Sequence, residues 1–382
     1  MIEFPIYLDH AATTPVAPEV LEAMLPYFTE YYGNSATLYN LGARAKTAVD
    51  TAREQIASIL NCSPDEIFFT SGGTEADNWA IRGMARNAGA MKHLLVSAIE
   101  HHAVLEPAES LMRDGFEVEQ IPPSHEGVVD PEAVRSRLRP DTFLASVMHV
   151  NNEIGTIQDI GSISDVCKSA GVPFHVDAVQ SFARLPIDLR SLPVSLLTMS
   201  AHKIYGPKGV GALYIRRGTP IFPWMLGGEQ ESGFRGGTTN VAGIVGFGAA
   251  AIRSADKSKK EQERTTLLSN ILVHQVVDDA SGIRLTAEHQ SRVPSTVHLT
   301  IEGVEGEALL LALDMAGICA SAGSACTTGS TAPSHVLLSM GMGVDQARGA
   351  LRLTLGESTT EEGILFVAKT LKGIVKDLRN LA

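Results

Sequence analysis

Between residues 66 and 215, short apolar runs alternate with amphipathic stretches, and that alternation limits the possible folds more than any other feature of the chain. The runs at 66–70, 93–99, 116–121, 142–149, 173–176, 194–199 and 211–215 read as strands, and 75–88 and 104–113 read as helices. Strands that alternate with helices predict an α/β fold, a mostly parallel sheet covered on both faces. Helices are also expected at 19–31 and 43–60, packed between or beside the domains. A glycine-dense segment, 227–237, precedes a helix at 241–252 and a charged stretch, 257–261, on a long helix. Strands at 296–301 and 351–355 and helices at 307–315 and 360–378 then predict a smaller α+β unit. A chain of 382 residues exceeds the size at which one core stops growing, so two domains are expected: 16–254, and 1–15 together with 255–382.

Composition removes several function classes. A net charge of −12 argues against a partner bound through nucleic-acid phosphates, which needs a basic stripe. No apolar run approaches the about 20 residues of a membrane span, and 1–5 shows no basic region followed by an apolar stretch, so a cytoplasmic protein without a membrane partner is expected. The 4 cysteines, Cys62, Cys167, Cys319 and Cys326, form no CxxC pair, which favours reduced thiols over a disulfide scaffold or structural zinc.

Three segments carry chemistry. Lys203 stands where the apolar run 194–199 breaks into a polar turn, Asp177 ends the run Phe174-His175-Val176-Asp177, and Cys326 closes the loop Gly323-Ser324-Ala325-Cys326. Singly these have ordinary readings: a solvated lysine, a turn or cap aspartate, an inert thiol. Together they suggest a pyridoxal phosphate (PLP) enzyme acting on sulfur. PLP needs a lysine to join, a carboxylate at its ring nitrogen and an anion cradle for its phosphate. Residues 69–76 follow a strand and open a helix, so the backbone at Gly73 and Thr74 favours an anion, an ordinary capping turn being the alternative. Ser200 and His202 alternate along one stretch and can face the same point. His101 and His102 follow a strand at its C-terminal end, where one can stack on the ring and act as acid or base. A metal pair is disfavoured, because adjacent side chains diverge.

These segments belong to a longer series of motifs: Tyr7-Leu8-Asp9-His10-Ala11-Ala12-Thr13-Thr14-Pro15, Thr70-Ser71-Gly72-Gly73-Thr74-Glu75, Glu100-His101-His102-Ala103-Val104, His149-Val150-Asn151-Asn152-Glu153-Ile154-Gly155, His175-Val176-Asp177-Ala178-Val179-Gln180, Ser200-Ala201-His202-Lys203 and Gly323-Ser324-Ala325-Cys326. With them the chain resembles, over nearly its whole length, the class V PLP enzymes of fold type I, and among these the group I cysteine desulfurases of the NifS/IscS type. The resemblance implies a large domain with a seven-stranded sheet, a homodimer, and a reaction that turns L-cysteine into L-alanine and a persulfide on Cys326. It implies that Lys203 joins PLP, Asp177 pairs with the ring nitrogen and His101 stacks on the ring. Gln180 and Asn152 would contact the ring hydroxyl or substrate. Gly73, Thr74, Ser200 and His202 would hold the phosphate, with Thr238 of the other subunit completing that site. Arg352 would take the substrate carboxylate, assisted by Asn34 and Asn152. Sulfur would pass to an acceptor protein, an iron–sulfur scaffold or a tRNA or cofactor thiolation enzyme, and Cys326 could transiently ligate an iron–sulfur cluster.

The sequence departs from the family pattern at His10, where asparagine is commoner, at Ser35 in Gly33-Asn34-Ser35-Ala36, and at Tyr39, near a usual histidine. All three touch the expected substrate-side loops. The sequence also ends soon after its last helix, so an acceptor other than the iron–sulfur scaffold is expected equally. A transaminase would keep Lys203, Asp177 and Arg352 without needing the Cys326 loop. A selenocysteine lyase would keep both, and a non-catalytic partner-binding homologue would be missing cofactor residues, which this chain is not.

Overall fold

The computed structural model describes residues 4–322 and 332–381. Helix α1 (Asn40–Leu60) precedes a sheet built from β1 (Ile67–Thr70), β2 (His93–Ser97), β3 (Glu117–Ile121), β4 (Thr142–Ser146), β5 (Phe174–Asp177), β6 (Leu196–Ser200) and β7 (Gly211–Ile215). The 7 strands lie in the spatial order β1-β7-β6-β5-β4-β2-β3. Only β7 runs against the others, pairing antiparallel with β1 and β6. The sheet is therefore mostly parallel, as the alternating pattern predicts.

Alternation along the strands sorts side chains to two faces. Leu94 and Val96 of β2 pack with α2 (Gly73–Arg86) and α3 (His102–Met112), while Leu95 joins α1 residues such as Ile56 on the opposite face. In α2 the buried residues Ala76, Trp79, Ala80, Gly83 and Met84 recur at helical spacing and form the stripe that meets the sheet. Trp79 is fully buried and its indole N–H donates to the Phe222 carbonyl at 2.9 Å, so its polar edge is satisfied inside the core.

A second core gathers Ile6 and Leu8 with residues from Leu268 to Val375. It packs against the antiparallel strands β8 (Ile283–Leu285), β9 (Thr296–Ile301) and β10 (Ala350–Thr354) and the helix α5 (Glu361–Leu381). Helix α4 (Val241–Val276) joins the two cores: its first buried stretch, Ala242 to Ala251, meets the first, and Leu268, Leu272 and Val276 meet the second. At 36 residues it is roughly 54 Å long.

Three elements differ from expectation. The helix expected at 19–31 is split into Pro18–Met24 and Pro26–Thr29, because Pro26 has no N–H to continue the helical hydrogen bonds, although Leu25 before it keeps helical geometry. A helix at Ile160–Ser169 was not anticipated. Val336, Leu337 and Met340 pack into the first core although they lie late in the chain. Among the described residues, no helix is long and apolar enough to cross a membrane.

Candidate active site

The C-terminal ends of the parallel strands open onto one cavity of about 380 Å3. Much of the lining comes from segments that leave these strand ends, which is where open α/β sheets collect their ligands, and Ala11, Ala12, His335 and Arg352 close it from other segments. Asp177 is the last residue of β5, and Ser200 ends β6 directly before the turn Ala201–Lys203. Gly73 opens α2 three residues after β1 ends, and His101 caps α3. Lys203, Asp177, His101, Gly73, Thr74, Asn152, Gln180, Ser200, His202 and Arg352 all line the cavity.

Lys203 Nζ donates to the Ala11 and Ala12 carbonyls at 2.6 and 2.7 Å, so the N-terminal segment forms the floor beneath the amine. Gln180 Nε2 reaches the same Ala11 carbonyl at 3.0 Å. Asp177 is buried, and the Val179 N–H donates to its Oδ1 at 2.9 Å. Burial pushes its carboxyl up to about 6, while that N–H and Lys203 hold it down. A cation at the remaining carboxylate oxygen would favour the ionised form.

His101 accepts the Ala103 N–H on Nδ1 at 3.0 Å, which leaves Nε2 to carry the proton of a neutral ring. Neutrality follows from burial, which together with the Lys203 charge lowers its pKa to about 4. His202 is lowered to about 4 for the same leading reason.

The phosphate cradle can be tested atom by atom. Ser200 Oγ is buried and has no hydrogen-bond partner among the described residues, although a buried hydroxyl normally has one. It lines the cavity opposite Gly73, at the start of a 14-residue helix whose free N–H groups favour an anion. A Cβ on Gly73 would sit 2.8 Å from Val179 Cγ2, so only glycine keeps this approach open. An unpaired buried hydroxyl, a helix N-terminus, a buried carboxyl and an amine in one cavity fit PLP.

Arg352, 1% exposed, donates to Asp9 Oδ1 at 2.7 Å and to the Asn152 carbonyl at 2.8 Å. Asp9 fixes the guanidinium plane, a role the sequence reading did not give it.

Two expected residues lie elsewhere. Asn34 is exposed and turned to its own loop, accepting the Ala36 N–H at 3.0 Å, and Thr238 is exposed outside the cavity lining. Cys326 lies outside the described residues. The other thiols are poorly suited to attack: burial pushes both Cys62 and Cys167 up to about 12 and raises Cys319. His10 is buried away from the cavity lining, its Nδ1 3.0 Å from the Thr354 carbonyl, in space that a side chain on Gly356 would occupy. Ser35 and Tyr39 sit on the loop that leads into α1.

Behind the wall, Glu100 is fully buried and accepts from Ser97 Oγ and from the Met148 N–H at 2.6 Å. Burial pushes its carboxyl from the usual 4.5 up to about 8. Its stabilising contribution is therefore complete below about pH 4.5 and is lost as pH rises through about 8. Relative to Glu100→Gln, which cannot ionise, the wild-type melting temperature is expected to fall as pH rises from about 5 to 8. Parallel melting profiles for the two proteins would show that Glu100 does not bind that proton.

Comparison with known proteins places this site in context. The family described as aminotransferase class-V matches residues 6–367. The chain is 45% identical to "Cysteine desulfurase IscS" of Dictyoglomus turgidum over 378 residues, covering 99% of this chain and 96% of that protein. A solved "NIFS-like protein" superposes with a TM-score of 0.90 at 36% identity, covering 98% of this chain and 99% of the other. A structure described as "SspA in complex with cysteine" gives 0.80 at 35% identity, covering 92% and 98% of the two chains.

Proposed function

The chain belongs to the class-V aminotransferase family and to its cysteine desulfurases, and on that premise we propose which of its residues carry the reaction. It is a PLP enzyme that takes sulfur from L-cysteine. The observation that carries the residue assignment is the convergence of Lys203, Asp177, His101, Ser200 and Arg352 on one cavity. When bound, PLP supplies the electron sink that makes the bonds at the substrate Cα and Cβ breakable. Gly73, Thr74, Ser200 and His202 hold its phosphate, and Thr238 reaches the same group from the second subunit of a homodimer.

Asp177 holds the proton on the ring nitrogen, and the neutral His101 ring covers one face. Asn152 and Gln180 orient the ring hydroxyl and the substrate. Lys203 Nζ takes the Cα proton. The Cys326 thiolate attacks the substrate sulfur, an S–S bond forms as the Cβ–S bond breaks, and protonation at carbon leaves alanine. The persulfide then passes to an acceptor protein, an iron–sulfur scaffold or a tRNA or cofactor thiolation enzyme, in the cytoplasm, where thiols stay reduced.

Arg352 holds the substrate carboxylate, and this sets the test. Arg352→Lys keeps a cation beside Asp9 but loses the planar fork, so KM for L-cysteine should rise about 10- to 100-fold with a smaller change in kcat. Removing the cation outright would strand Asp9 at a cost of about 3–5 kcal/mol, which is why lysine is the informative replacement. An unchanged KM would remove Arg352 from substrate binding.

A further inference from the structure

Asp77 is a buried carboxyl that the assigned chemistry leaves unused. It lies on α2 four residues after Gly73, is 1% exposed, and lines the same cavity as Asp177 and Lys203. The Thr198 hydroxyl on β6 acts on its carboxyl. Thr198 Oγ1 is 3.0 Å from His175 Nε2, and His175 Nδ1 is 2.8 Å from Ser146 Oγ on β4. All four side chains are buried, so Asp77, Thr198, His175 and Ser146 form a polar series that runs from α2 at the cavity wall through three neighbouring strands.

The chain closes in two directions. If Asp77 were ionised, the Thr198 hydroxyl would donate a hydrogen bond to it and accept one from His175 Nε2–H. If Asp77 is neutral, its O–H can donate to Thr198 Oγ1, whose hydroxyl donates to His175 Nε2, and His175 Nδ1–H donates to Ser146 Oγ. The remaining carboxyl oxygen decides between them. Asp77 Oδ1 is buried with no hydrogen-bond partner among the described residues, and it stands 3.6 Å from His175 Nε2, beyond hydrogen-bond reach. An ionised oxygen left bare in a dry site is far more costly than a neutral one.

The surrounding groups argue the same way. Burial opposes a charge on Asp77 first, and two more carboxyls, Asp177 on β5 and Glu100 after β2, oppose it further, with Thr198 alone favouring it. His175 is held neutral by its own burial, and the charge of Lys203 acts on Asp177 and His101. Clustered carboxyls of this kind cannot all ionise.

We propose that Asp77 is a positioning residue of the cofactor-ring site, a neutral carboxylic acid that orders the Thr198–His175–Ser146 chain and leaves Asp177 as the carboxylate that meets the ring nitrogen. Asp177 and Thr198 are register partners across β5 and β6, and the Ala178 N–H donates to the Thr198 carbonyl at 3.0 Å, so fixing Thr198 fixes the strand end that carries Asp177. The proposal rests on Asp177 as the ring-nitrogen partner.

The test compares PLP-loaded wild type, Asp77→Asn, Asp77→Ala and Asp177→Asn, reading the PLP dissociation constant and the pH titration of bound-cofactor absorbance. The amide of Asp77→Asn still donates to Thr198 and is neutral, so affinity should stay within about threefold of wild type with an unmoved titration midpoint. Asp77→Ala breaks the chain, and affinity should fall about tenfold or more with a shifted midpoint. Thr198→Val severs the next link and should shift both readouts the same way, which keeps the test decisive should Asp77→Ala fold poorly. Asp77→Asn as impaired as Asp77→Ala, or a midpoint displaced by about one unit in Asp77→Asn, would mean that the group works as a carboxylate and overturn the proposal. So would an alanine variant indistinguishable from wild type. A normal spectrum and affinity in Asp177→Asn would instead defeat the ring-nitrogen assignment, whatever the Asp77 variants do.

Discussion

Lys203→Ala is expected to abolish turnover, by at least about 10⁴-fold, because one amine both joins the cofactor and moves the substrate proton. Cofactor binding should weaken without vanishing, since Ser200, the α2 N-terminus and Asp177 hold their positions independently of this side chain. The lost amine removes a donor from the Ala11 and Ala12 carbonyls, the first of which keeps Gln180 Nε2. Borohydride treatment of the wild-type holoenzyme followed by peptide mapping should fix the cofactor to Lys203. Attachment to any other lysine, or retention of a tenth of the activity in Lys203→Ala, would contradict the assignment.

Cys326→Ser is expected to stop sulfide release while leaving cofactor binding and exchange of the substrate Cα proton intact. The division follows from chemistry: Lys203, Asp177 and Arg352 act on the carbon skeleton, whereas only a thiolate can accept sulfur, and a serine hydroxyl is neither ionised nor thiophilic. Isotopically labelled cysteine should leave reductant-labile sulfur on Cys326 of the wild-type protein. Cys62 and Cys167, whose thiols burial pushes up to about 12, should remain unlabelled. Label confined to another cysteine, or full desulfurase activity in Cys326→Ser, would remove Cys326 as the sulfur acceptor.

Most strands of the large sheet were legible because they are buried on both faces and read as uninterrupted apolar runs, as at Leu94-Leu95-Val96, whereas the edge strand Glu117–Ile121 keeps Glu117 and Gln120 exposed. Their ends were less so. The run 142–149 extends past β4 at Ser146, since Val147 and Met148 stay buried and the Val147 and His149 N–H groups still donate to the His175 and Asp177 carbonyls of β5. Lys203 and Asp177 stood out because each is a charge placed where an apolar run breaks. Asp77 and Glu100 were hidden for the opposite reason. In the polar stretch Glu75-Ala76-Asp77-Asn78, Asp77 looks like a solvated helix residue, and only the helix phase that it shares with Ala80 and Met84 turns it inward. Asp9 was quoted within a motif, yet its contact with Arg352 spans 343 positions and leaves no local trace. Asn34 and Thr238 lie outside this chain's own cavity lining, and of the two only Thr238 was expected to act from another subunit.

The most direct test of the central claim is the product balance of the purified, PLP-loaded protein supplied with L-cysteine and a thiol reductant. Alanine and sulfide should appear in equal amounts, with no keto acid and no ammonia, because the amino group stays on the carbon skeleton while sulfur leaves through Cys326. Pyruvate with ammonia would mean elimination at Cβ, and transfer of the amino group to an added keto acid would mean transamination. Either result in place of alanine and sulfide would contradict the desulfurase account.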